Sequence, residues 1–218
     1  MPIPFFFAIN CKEIVTFNDK RPALLGYGLN SDGSVRLPQQ IDRPCLAVID
    51  DAVMPEKMPE ETVLSLLAEH CRYGCFFDFM RPAVPQHAAI LTGIAQRIPA
   101  DTVMLVPVQF HSFLPSALPV LSCARPCNSW WKFLEDTAAR FPCGWALEVI
   151  PWEMKLPLNA KSCTVSIEKA MCHCDIQDGV CRYFDTAETL QKRIAAAEAY
   201  GCKTLIGLAS ELLPYQLQ

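Results

Sequence analysis

Charge is scarce in this sequence, and what there is does not lean basic. Of 218 residues, 19% are charged, the formal net charge is -4 and the pI is near 5.6. Nucleic acid and anionic lipid both need a basic footprint, so a DNA-binding, RNA-binding or membrane-surface role is set aside. The N-terminal run Met1-Pro2-Ile3-Pro4-Phe5-Phe6-Phe7-Ala8-Ile9-Asn10 lacks the basic n-region and small-residue cleavage site of a signal peptide. A cytoplasmic protein is expected. No Gly-rich phosphate loop follows any candidate strand, so an open doubly wound, nucleotide-binding sheet lacks its main signature. No linker, charge block or repeat divides the chain, and one domain over 1–218 is expected. Between Asp101 and Arg125 no residue is charged, which is length enough for a bilayer span of roughly 20 residues. Pro107, Gln109, His111, Pro115 and Pro119 interrupt that stretch, so two buried strands joined by a short loop are expected there.

What is abundant is apolar surface. The chain is 51% hydrophobic with 18 prolines, 12 cysteines and mean hydropathy +0.18, which promises a large core with many sharp stops. Disulfide-dense scaffolds are short and core-poor, so these cysteines read as reduced, mostly buried thiols. Nearly continuous apolar runs of strand length occur at Phe5–Ile9, Cys45–Ile49, Cys75–Phe79, Val103–Val108, Pro119–Ser122, Trp145–Ile150, Val165–Ile167 and Thr204–Leu208. Strands covered on both faces, as in parallel sheets, have this composition. Helical spacing follows Pro59-Glu60-Glu61, follows Pro85, runs from about Ser129 to Arg140, and runs from an N-cap at Thr186 to Gly201.

Strand then helix, repeated, means βαβ units, and eight strands in this length predict a compact (β/α)8 TIM-barrel-like fold, irregular or short of some helices. The segment Gly26–Gln40, with Asn30-Ser31-Asp32-Gly33, reads as a turn-rich loop or hairpin before the second barrel strand, and Pro151–Lys161 reads as loop.

Functional groups of a barrel collect at the C-terminal ends of its strands. Those ends carry Asp50 and Asp51, Asp78, Gln109 and His111, Glu148 with Trp152 and Glu153, and Ser210 with Glu211. Carboxylates beside aromatics suit a sugar, whose ring faces stack while its hydroxyls seek acceptors. The same acids also serve to cap helices or face water. Asp78 and Glu148, each in an apolar strand, are the candidate catalytic carboxyl pair, with Asp50, Gln109, His111, Trp152 and Glu211 as substrate contacts. His111 is equally a structural histidine or an acid-base group. Of Trp130 and Trp131, one ring is expected in the core and the other at a groove or interface. Burial of an apolar patch by self-association fits the hydropathy.

The strand Tyr73-Gly-Cys-Phe-Phe-Asp78-Phe-Met80 resembles the catalytic strand of glycoside hydrolase family 18, Asp-x-x-Asp-x-Asp-x-Glu. The stretch Tyr183-Phe-Asp-Thr-Ala-Glu-Thr-Leu-Gln-Lys-Arg-Ile, with Tyr200-Gly201 and Thr204–Leu208, is similar to the helix and last strand that close those barrels, and adds Tyr183 to the implied substrate contacts. On that pattern Asp78 takes the third acidic position, whereas Tyr73, Phe76 and Met80 replace the other three. Methionine donates no proton. The resemblance therefore implies a glycosidase whose acid comes from elsewhere, with Glu148 the candidate, or a barrel that binds a glycan without cutting it. A third alternative is a metal site, since Met171-Cys172-His173-Cys174 lies near Cys163 and Cys181, although zinc more often takes Cys-x-x-Cys spacing. Neither glycan reading calls for a cofactor.

Overall fold

The computed structural model describes residues 3–10, 12, 20–39, 43–123, 130–157 and 171–217. Its fold is mixed α/β, a TIM-like barrel of parallel strands with five α-helices among the described residues. Contacts divide the chain into two compact units, Pro4–Leu121 and Ser122–Gln218 with Met1–Ile3.

The first unit contains β1 (Phe5–Ile9), β2 (Arg21–Leu29), β3 (Val35–Arg36), β4 (Leu46–Asp50), α1 (Glu61–His70), β5 (Cys75–Asp78), α2 (Pro85–Ala95), β6 (Met104–Pro107), a 3-10 turn at Val108–Phe110, and β7 (Leu118–Ser122). Strands β1, β2, β4, β5, β6 and β7 pair in that order and all in parallel, while β3 folds back antiparallel on β2. Alternate side chains along a strand point to opposite faces. Ala47 and Ile49 of β4 and Cys75 and Phe77 of β5 join a core with Leu64 and Leu67 of α1 and Ile90, Leu91 and Ile94 of α2. Val48, Asp50, Phe76 and Asp78 therefore take the face away from those helices.

Two expectations change here. The second barrel strand is Arg21–Leu29, so Gly26–Leu29 is strand and not loop, and the hairpin lies beyond it, where Asn30 and Gly33 close the turn into β3. Sequence periodicity misses β2 because its register shifts between Leu24 and Tyr27, and both residues face the helices although they are three apart. A bulge of this kind reverses the alternation within one strand. The uncharged stretch after Asp101 forms β6 and β7, as expected, and no described helix is long and apolar enough to cross a membrane. Residues 124–129, including Ser129, and the candidate strand at 165–167 lie outside the described residues.

In the second unit α3 (Trp130–Arg140), β8 (Trp145–Glu148), β9 (Glu153–Pro157), β10 (His173–Gln177), β11 (Val180–Phe184), α4 (Ala187–Ala199), β12 (Cys202–Leu208) and α5 (Ala209–Leu212) follow in order. β8 and β12 are parallel, whereas β10, β11 and β9 make an antiparallel sheet. Glu153–Pro157 is thus strand where loop was expected, and 158–161 lie outside the described residues. The sheet's strands are short and partly exposed, so they carry no continuous apolar run. Their sequence signal is Asp178-Gly179, whose positive φ values of 51° and 72° suit the two-residue turn of a hairpin.

A buried ion pair ties this unit together. Asp185, directly before the Thr186 cap of α4, pairs with Arg193 two turns along the helix, and both side chains are at most 5% exposed. Asp185 also accepts from the Trp152 amide at 2.6 Å and from the Thr189 hydroxyl at 3.0 Å. Above it the Arg193 guanidinium lies 3.5 Å from the Trp152 ring centre, a cation over an aromatic face. Removing one partner leaves the other charge buried and unmatched. Arg193→Ala is expected to lower unfolding free energy by about 3–5 kcal/mol in urea denaturation, whereas Lys192→Ala, whose partner Glu188 is at the surface, should change it by less than about 1 kcal/mol.

Candidate functional site

Four residues on neighbouring strands line up at one end of the first unit. The registers place Arg36 beside Gly28, Gly28 beside Asp50, and Asp50 beside Asp78. All four fall on the face turned from α1 and α2, because Val35, Tyr27, Ile49 and Phe77 take the helix side. Glycine at 28 leaves the space that the Arg36 guanidinium fills. A Cβ there would meet Arg36 Nη2 and stand 3.2 Å from the Asp50 carbonyl oxygen. Across that gap Arg36 Nη2 donates to Asp50 Oδ1 at 2.5 Å, and the same oxygen accepts from the Ala52 amide at 2.9 Å. Arg36 Nε is buried and meets no acceptor among the described residues.

Asp78 is the half-buried end of this row. Burial first, and then the charges of Asp50 and Asp51, raise its carboxyl above the ordinary carboxylate range. Asp51 faces the other way and is 3% exposed. Its two oxygens accept from the Met80 and Arg81 amides, each at 2.9 Å, and His87 Nε2 stands 3.2 Å from Oδ2. His87 Nδ1 accepts from the Val84 amide, so the imidazole carries its proton on Nε2 and donates it to Asp51. Phe79 and Phe110 pack on the imidazole at 5.1 and 5.0 Å. Asp51 thereby fixes the chain that leaves β5, and Met80 is 81% exposed.

Other expected site residues fall elsewhere. Gln109 is exposed in the 3-10 turn and its amide reaches the Phe79 carbonyl at 3.5 Å, while half-buried His111 ends that turn. In the second unit Glu148 closes β8, half-buried, and with Trp130, Leu190 and Arg193 lines a cavity of about 10 Å³, the size of one water. Glu211 is exposed in the first turn of α5. Trp152 and Tyr183 lie in the core, at 1% and 2% exposure, rather than on an open surface. Trp152 instead donates its indole N–H to the Cys123 carbonyl and packs edge-on against Trp130. Trp130 is core and Trp131 is 41% exposed, as expected of the pair.

Cys45, Cys71, Cys75, Cys143, Cys174 and Cys202 form no disulfide. Cys174 Sγ lies 3.1 Å from Cys181 Sγ, and burial with the neighbouring thiol pushes Cys174 up to about 12. No group of three metal-ligating side chains occurs among the described residues, and Cys163 lies outside them. Arg36, Gly28, His87 and the Asp185–Arg193 pair are absent from the sequence-derived site. Arg36 was within reach, since a hairpin through Asn30–Gly33 sets it against β2.

No protein-family model matches the sequence, and no curated protein matches it. Among solved structures, the spore cortex-lytic enzyme SleL of Bacillus megaterium QM B1551 is similar with a TM-score of 0.55 at 12% identity, over 94% of this chain and 70% of that one. SleL of Bacillus cereus is similar with a TM-score of 0.58 at 10% identity, over the same shares. These likenesses agree with the barrel fold.

Two measurements probe the row. Gly28→Ala should destabilise by about 1–3 kcal/mol through overpacking, and by less in an Arg36→Met background, where the guanidinium is gone. Equal losses in both backgrounds would deny the close approach. A raised native pKa means the folded state holds the Asp78 proton more tightly, so stability falls as pH rises from the unfolded value through the folded one. Asp78→Asn should therefore raise Tm at pH 7, with the gain vanishing toward pH 3.

Proposed function

We propose that this protein is a glycan-acting barrel in which Asp78 is the proton-holding carboxyl group. The carrying observation is the in-register pair of Asp50 and Asp78 at the ends of β4 and β5, with Asp78 raised by burial and by its acidic neighbours. A carboxyl group whose proton is held more tightly than an ordinary aspartate's, beside a second acid, fits the division of roles that glycoside hydrolysis needs. Neighbouring strands lie about 4.8 Å apart, close to the roughly 5 Å between the carboxyl groups of a retaining pair. Asp78 would give its proton to the glycosidic oxygen as the carbon–oxygen bond breaks. Asp50, held by Arg36, would face the positive charge that develops on the sugar ring, and Arg36 Nε would find its acceptor in a substrate oxygen.

The shared fold with two cortex-lytic enzymes supports the same reading, as does the family 18 resemblance of the β5 strand. Glu148 enters separately, as a half-buried carboxyl group at its own strand end. One observation favours a second reading. The family's general-acid position is an exposed methionine, which suits a barrel that binds a glycan and leaves it whole. The proposal extends to a single-domain, cofactor-free cytoplasmic protein that self-associates.

Incubation with N-acetylglucosamine oligosaccharides and with solubilised spore cortex, read as new reducing ends and by titration calorimetry, separates these readings. Turnover should fall about 10²- to 10⁴-fold in Asp78→Asn, the range of a general acid, and should decline as pH rises through the raised Asp78 pKa. Glu148→Gln measures the share of the other carboxyl group. Saturable binding with no turnover establishes the second reading, and neither binding nor turnover overturns both.

A further inference from the structure

The first unit carries a cleft at the ends of its strands opposite the carboxyl pair. A cleft of about 490 Å³ opens where β1, β2, β4 and β5 begin, lined by Phe6, Lys20, Arg21, Arg43, Leu46 and Tyr73 among others. Its volume is that of a small-molecule site. Leu46 opens β4 and Asp50 closes it, so about 13 Å of strand separates the cleft from the carboxyl pair.

Its chemistry is the reverse of that pair. Three cationic side chains and no carboxylate are among the described residues that line it, on a chain of net charge -4. Arg43 Nη2 donates to the Lys20 carbonyl at 2.6 Å, which fixes the two basic segments beside each other. Lys20 Nζ sits 4.5 Å from the centre of the Phe7 ring. Arg21, the first residue of β2, is exposed at the mouth. The walls are apolar, with Tyr73 half exposed to solvent and the Arg72 guanidinium 4.8 Å from its ring centre. Gathering like charges raises the local potential for an incoming anion, and guanidinium groups offer paired donors to phosphate oxygens.

We propose that this cleft binds an organic phosphate monoester, its dianion held by Arg21, Arg43 and Lys20 and its apolar body laid against Phe6 and Tyr73. Three cations suit a dianion, and the apolar walls suit an attached ring or chain rather than the bare ion. Phenyl phosphate is the probe, titrated into the whole chain by calorimetry and by amide NMR shifts. Saturable one-to-one binding is expected, with shifts at Lys20, Leu46 and Tyr73 and none at Asp78. Arg21→Gln should weaken it about 10-fold, the size of one charge-assisted hydrogen bond, with an unchanged circular dichroism spectrum. Inorganic phosphate should bind more weakly than phenyl phosphate. The absence of saturable binding, shifts confined to other residues, affinity untouched by Arg21→Gln, or equal affinity for inorganic phosphate would each overturn the assignment.

Discussion

The candidate site depends on the register that puts Asp50 beside Asp78. Two acids on adjacent parallel strands, pointing to one face, repel each other when both are charged. The row is built so that the burden falls unevenly. Asp50 has the Arg36 guanidinium and the Ala52 amide. Asp78 has burial and two acidic neighbours. The bulge in β2 belongs to the same constraint, since it turns Gly28 and not a side chain toward Asp50 and so opens the way for Arg36.

Among the described residues, each unit also contains a buried carboxylate that organises its surroundings. Asp51 collects two amides and an imidazole N–H, which holds the chain leaving β5. Asp185 collects an amide, a hydroxyl and a guanidinium, which holds the start of α4 against the Trp152 segment. Both follow one rule, that a charge taken out of water must be met by several donors at once. Neither is placed to meet a substrate.

Much of the fold was legible because its signals are local. Doubly covered strands such as Phe5–Ile9 and Leu46–Asp50 are continuous apolar runs, and α4 announces itself with the Thr186 cap. β2 was not, because a bulge and two glycines break the alternation that marks a strand. The antiparallel strands were not, because their exposed faces dilute any apolar run. At the site, Asp50 and Asp78 could be named as strand-end acids, as Glu148 could in the other unit, whereas Arg36 and Gly28 depend on pairing that no local pattern specifies. Trp152 was hard to place for a related reason: an aromatic near an acid looks the same in sequence whether it stacks on a sugar or on Arg193.

The candidate site turns on one proton. Labelling the aspartate side chains with carbon-13 and following the Asp78 carboxyl resonance through a pH titration reads its pKa in the folded protein directly. The structure predicts a midpoint above the roughly 3.9 of an unperturbed aspartate, moving down when Asp50 is replaced by asparagine. A midpoint at or below the ordinary value, or one indifferent to Asp50, would contradict the assignment of Asp78 as the proton-holding group.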